Sequence, residues 1–172
     1  MRALHLTILG LLAVAATAPA PSAQTPMSAD DVKRKLLGNW KLVKYETFAQ
    51  SGAGGPATTS PPPFDSGRIM YDEAGHMAAQ LTRPGRPVIT RESTDRDRLA
   101  AAAGYVAYYG KYDIDVAKGT VSHHVEGSTN TSWVGTTLVR SYEFSPDANR
   151  LMLSLKNAEG RVTATLTWER LR

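Results

Sequence analysis

Through most of the second half of this 172-residue chain, apolar side chains recur at every second position. That is the period at which strand residues return to one face. The alternation, bounded by turn residues, predicts strands over residues 40–47, 68–71, 76–82, 105–115, 120–126, 136–144, 151–156 and 161–171. Clusters such as Asp72-Glu73-Ala74-Gly75, Ala117-Lys118-Gly119 and Asn157-Ala158-Glu159-Gly160 separate them. Short links between successive strands imply an all-β antiparallel up-and-down β-barrel of about eight strands, which closes on itself, removes its edges and encloses room for one small ligand.

Two segments break the alternation with helical signals. Ser28-Ala29-Asp30-Asp31 has the form of a capping box, opening a short N-terminal helix that Gly38 ends. A second short helix is predicted over 95–103, inside the long connection 83–104 that carries Pro84, Gly85 and Pro87. The stretch 49–63, rich in Gly, Pro, Ser and Thr, is predicted as a surface loop.

The start of the chain has a different composition. Arg2, the apolar run from Leu6 to Ala16 and a small-residue segment to Gln24 have the layout of a secretory signal peptide, assigned to 1–23 with cleavage after Ala23. Residues 24–35 then form an N-terminal segment and helix start, and 36–172 the barrel domain. The apolar run falls short of the roughly 20 residues of a spanning helix, so no membrane insertion is expected. The predicted location is periplasmic or secreted. Cysteine is absent, which excludes disulfides, a thiol nucleophile and thiolate metal sites. The net charge of +4 is spread among interleaved acids and bases, a pattern that argues against nucleic acid as a partner.

Alternation also assigns faces. With Lys111, Asp113 and Asp115 outside, Val106, Tyr108, Gly110, Tyr112 and Ile114 point inward. Val121 and Val125 take His123 inside with them, opposite Ser122, His124 and Glu126. Leu138, Tyr142 and Phe144 share the inner face with Arg140. A guanidinium inside a barrel needs an acceptor or a counter-charge, because burying it unpaired costs several kcal/mol. Arg140, His123, Tyr108, Tyr112 and Tyr142 are therefore the candidate ligand-binding residues, orienting a small hydrophobic molecule that carries an acidic or carbonyl group. The same groups, left to themselves, also make an internal hydrogen-bond network. A small-molecule cyclase or isomerase using His123 with Tyr108 and Tyr112 is the alternative, and a solidly filled interaction module is a third. No catalytic residue is assigned. No metal site and no cofactor are expected: His123 and His124 point to opposite faces, and His124 with Glu126 supplies only two ligands. Trp133 is expected to fold over one barrel end, as lid or as packing. Arg83, Arg86 and Arg91 lie on the long connection, as steering charges or as solvated surface.

Gly38-x-Trp40 at the first strand and Arg170 in phase with Trp168 at the last resemble the lipocalin superfamily, where the arginine packs across the first-strand tryptophan and closes one barrel end. Further motifs are Leu37-Gly38-Asn39-Trp40-Lys41-Leu42-Val43, Gly67-Arg68-Ile69-Met70-Tyr71, Tyr109-Gly110-Lys111-Tyr112, Gly119-Thr120-Val121-Ser122-His123-His124-Val125 and Thr167-Trp168-Glu169-Arg170. Together they are similar to the lipocalin-like domain family of bacterial and fungal proteins over about residues 36–170. The resemblance implies a barrel with a central cavity, no generally established reaction, and structural closure by Gly38, Trp40, Trp168 and Arg170. Between Phe48 and Phe64, where that family's pattern has a short hairpin, this chain has its Gly/Pro-rich loop, so the resemblance does not place the barrel's second strand.

Overall fold

A computed structural model describes residues 27–48 and 63–172. The signal peptide predicted over 1–23 and nearly all of the loop predicted over 49–63 lie outside the described residues. Strands β1 (Gly38–Thr47), β2 (Ser66–Tyr71), β3 (His76–Thr82), β4 (Tyr105–Asp115), β5 (Thr120–Ser128), β6 (Thr137–Phe144), β7 (Arg150–Lys156) and β8 (Val162–Arg170) follow one another around a closed antiparallel barrel. Closure comes from β8 pairing back onto β1, from Trp40 opposite Arg170 to Thr47 opposite Ala164. The second strand is β2, which pairs directly with β1 through Gly38 opposite Tyr71 and Trp40 opposite Ile69.

Two short helices accompany the sheet, α1 (Ala29–Leu36) and α2 (Asp95–Ala103). Helix α1 starts in the predicted capping box, the Ser28 hydroxyl accepting from the Asp31 N–H while the Asp31 carboxylate accepts from the Ser28 N–H. Val32 and Leu36, one helical turn apart, are wholly buried and plug the lower end of the barrel. Just beyond, Gly38 takes φ +108°, a left-handed value that a side chain would strain, and the chain turns from helix into β1. Trp40 donates its indole N–H to the Leu36 carbonyl at 2.8 Å. The Arg170 guanidinium lies 4.1 Å from the Trp40 ring centre and donates to the carbonyls of Leu37 (2.7 Å), Lys35 (2.6 Å) and Ala148 (3.2 Å). One side chain thus ties helix, first strand and last turn together.

The core is a belt of inward side chains, with Trp40, Leu42, Ile69, Val121, Leu151 and Trp168 all at most 2% exposed. Each aliphatic member stabilises the fold by roughly 1.5–3 kcal/mol. The ladders slip register at three seams, β1–β8, β4–β5 and β7–β8, the last between Leu155 and Lys156. In β1 the pairing with β8 slips between Leu42 and Lys44, so the alternation changes phase and Tyr45, facing Leu166, turns inward. At the β4–β5 seam the register slips between Tyr109 and Gly110. There Gly110 approaches β5 so closely that a Cβ would overlap the carbonyl oxygen of His124.

Because strand directions alternate, the turns at 72–75, 116–119 and 145–149 lie at the plugged end with α1. The connections 83–104, 129–136 and 157–161, together with Phe48 after β1 and Phe64 before β2, lie at the other end. This second end is where the barrel leaves space.

Candidate ligand-binding site

A cavity of about 310 Å³ occupies the upper half of the barrel. Its apolar wall comes from strand positions on the inner face: Ile69, Ala79 and Leu81 from β2 and β3, Leu153 and Leu155 from β7, Leu166 from β8. Trp168 and Tyr108 form deeper parts of the lining, and Tyr45, Phe64 and Trp133 the upper part. Phe64 stands 5.5 Å from the Tyr45 ring, with the Arg83 guanidinium 5.4 Å over its face. Trp133, in a 3-10 turn (Thr131–Trp133), meets Tyr108 edge-on at 5.7 Å.

Below this wall sits a buried polar stack. His123, wholly inaccessible, is held between two phenols, Tyr71 Oη at 2.8 Å from Nε2 and Tyr108 Oη at 3.1 Å from Nδ1. Burial, then the positive charge of Arg140, then His124, depress the imidazole from its ordinary 6.5 to about 3. Burial likewise raises the Tyr71 and Tyr108 hydroxyls, although Arg140 works in the opposite direction on both. All three groups are therefore neutral at physiological pH. With both ring nitrogens engaged and no exposure, His123 is not placed to exchange a proton directly with a molecule in the cavity.

Arg140 borders the cavity, with Nη1 donating to the Val139 carbonyl at 2.9 Å. Its charge is felt by Tyr45, Tyr71, Tyr108 and His123 together. Among the described residues no carboxylate lies within ion-pairing distance of it. The segments 1–26 and 49–62 contain no Asp or Glu. Glu46 is paired with Lys44 at 2.8 Å.

Of the five predicted ligand-binding residues, Arg140 and Tyr108 lie on the cavity wall and His123 lies directly behind Tyr108. Tyr112 packs edge-on to Tyr71 at 5.0 Å but donates its hydroxyl to the Asp72 carbonyl at 2.9 Å, so it serves the plugged end. Tyr142 pairs with Phe144 at 5.7 Å and does not border the cavity. Arg83 is on the wall, Arg86 packs over Tyr105 at 5.1 Å and donates to the Ala101 carbonyl, and Arg91 is exposed. On the outer face His124 hydrogen-bonds Asp113 at 2.7 Å and Thr137 at 3.0 Å. Among the described residues no three metal-ligating side chains converge, and no helix is long and apolar enough to cross a membrane.

Four wall or floor residues have roles beyond those the pattern assigned: Tyr71, Tyr45, Phe64 and Trp168. Tyr71 was detectable, since it alternates with Ile69 on β2. Trp168, a barrel-closing residue in the sequence pattern, also borders the cavity, and its buried indole N–H has no hydrogen-bond partner among the described residues.

A barrel plugged at one end by a helix and a Trp–Arg pair, with a mainly apolar, ligand-sized cavity at the other, defines the calyx class of β-barrel. Within that class, the lipocalin-like domain family matches the chain over residues 37–171, and the chain belongs to that family. The chain is similar to the 4'-hydroxy-3'-methoxypropiophenone carrier protein of Aspergillus oryzae, with 31% identity over 109 residues, covering 55% of this chain and 96% of that one. Among solved structures it is similar to a redesigned β-barrel, with TM-score 0.40, 10% identity, and coverage of 81% of this chain and 95% of the other.

Proposed function

We propose that this protein is an exported carrier that binds a small, mostly hydrophobic molecule in the upper barrel, with the molecule's polar end against Arg140 and Tyr108. The observation that carries this reading is the guanidinium of Arg140 on the wall of an apolar cavity with no carboxylate partner among the described residues. Arg140 is half-buried rather than enclosed, so the burial penalty expected for it is partly relieved by solvent, and an anionic or carbonyl-bearing ligand in the cavity would supply the partner that the guanidinium lacks among the described residues. The volume, about 310 Å³, sits at the lower end of the roughly 300–1,000 Å³ of small-molecule sites. A single-ring aromatic or a short acyl compound is the size that suits it. The fungal relative is named as a carrier of an aryl ketone, which supports carriage over chemistry for this chain too. Export rests on the leader-like residues 1–23, and N-terminal sequencing of the secreted or periplasmic protein tests it: a mature start near Gln24 is expected, and an intact Met1 in the exported protein contradicts it.

Native mass spectrometry of protein purified from its source organism tests the carrier reading. The expected result is a retained, chemically unchanged compound of low mass, lost from a folded Arg140→Ala variant. Full retention by Arg140→Ala contradicts the anchor, and recovery of a converted product contradicts carriage.

A further inference from the structure

The hydrogen-bond order of the buried stack assigns a direction to the cavity's polar groups, and this inference rests on the carrier reading above. Tyr71 is buried, and its hydroxyl has one hydrogen-bond partner among the described residues, Nε2 of His123 at 2.8 Å. A phenol can satisfy its O–H only by donating it, whereas its oxygen tolerates a missing donor more easily. Tyr71 therefore donates, and Nε2 of the neutral ring must be the bare, accepting nitrogen. The ring proton then lies on Nδ1, where it is donated to Tyr108 Oη at 3.1 Å. With Tyr108 already accepting from the histidine, its own O–H has no internal acceptor and turns toward the space that Tyr108 borders.

A second, independent observation agrees. Trp168 borders the same cavity, is 1% exposed, and its indole N–H is buried without a partner among the described residues. Buried donors without acceptors are rare in folded proteins and each costs about as much as a lost hydrogen bond. Most of the remaining polar groups on the wall also donate: Arg140 and Arg83 only donate, the side-chain amide oxygen of Asn130 is already occupied by the N–H and hydroxyl of Ser132, and the Tyr45 hydroxyl, higher on the wall, can donate or accept. Among the described residues no carboxylate lines the cavity.

We propose that Tyr108, Trp168 and Arg140 form a floor of hydrogen-bond donors, set by the Nδ1–H tautomer of His123, that selects a ligand bearing an acceptor oxygen, a carbonyl or an oxyanion, on an apolar body. His123 and Tyr71 are positioning residues. They act on the ligand only through the direction in which Tyr108 points its proton.

Two measurements on the full barrel test this. First, ¹⁵N chemical shifts of His123 at neutral pH report the tautomer: Nδ1–H is expected, and Nε2–H overturns the proposal. Second, calorimetric titration compares propiophenone with propylbenzene, probes of one carbon skeleton that differ by the carbonyl. The ketone is expected to bind roughly tenfold tighter, to shift the Trp168 indole N–H resonance downfield where the hydrocarbon does not, and to lose its advantage in Tyr108→Phe. Equal binding of the two probes overturns the donor floor while leaving an apolar binding cavity intact. Binding of neither overturns the carrier reading as well. If Tyr108→Phe does not fold, the Trp168 resonance in the unaltered protein decides, and its failure to move with bound ketone overturns the assignment.

Discussion

His123 is the residue whose burial has the clearest thermodynamic consequence. Its proton affinity falls from the ordinary 6.5 to about 3 in the fold, so the native state holds the neutral ring and the unfolded chain takes the proton first. The stability this confers is complete above about pH 6.5 and is lost as pH falls from there toward 3, with a slope that approaches about 1.4 kcal/mol per pH unit for one proton. Urea denaturation between pH 7 and 4.5 is expected to show a shallower pH dependence in His123→Gln than in the unaltered protein, and parallel profiles contradict this account. Arg170 has a separate, purely structural role. Arg170→Gln loses the stack on Trp40 and strips donors from the carbonyls of Leu37 and Lys35. The expected cost is about 2–4 kcal/mol, read as a lower Tm, with ligand affinity in the folded fraction unchanged because the contact lies at the opposite end from the cavity. Unaltered Tm contradicts the closure role.

At the scale of elements, the barrel was legible because period-two alternation survives along most of each strand and every short turn carries Gly, Asn or Asp. The clearest exception is β1. Strict alternation from Trp40 and Leu42 points Lys44 and Glu46 inward and Tyr45 out. The slip between Leu42 and Lys44 reverses this, and an added residue in a strand leaves no mark in the side-chain pattern that announces it. The polar stack was legible in part for a related reason. Alternation shows that Tyr108, His123 and Arg140 face the interior, but not the height at which each sits, and that height divides wall residues from Tyr112 at the plugged end. Nor does it show which inward polar atoms lack a partner, so the orphaned N–H of Trp168 emerges only once every neighbour is placed. The β4–β5 seam makes an element-scale prediction. Gly110→Ala places a methyl against backbone of β5 that cannot move without breaking the ladder, so a loss of several kcal/mol, or failure to fold, is expected in denaturant titration. A stable Gly110→Ala variant contradicts the close approach.

Over the whole molecule the two ends have separate duties. Helix α1, Gly38, Trp40 and Arg170 close one end through hydrogen bonds and the Trp40–Arg170 stack, while the other end keeps a cavity and, among the described residues, one buried indole N–H without a partner. The proposed carrier role requires that a small molecule bind inside the upper barrel. Ala79 is the place to test this, because this small, buried residue of β3 lies on the cavity wall and makes none of the closing contacts of Trp40 and Arg170. In Ala79→Phe the ring fills the space a ligand takes. Titration of propylbenzene into this variant, with circular dichroism confirming the fold, is expected to give at least a tenfold loss of affinity. A folded Ala79→Phe barrel that binds propylbenzene as tightly as the unaltered protein contradicts the account.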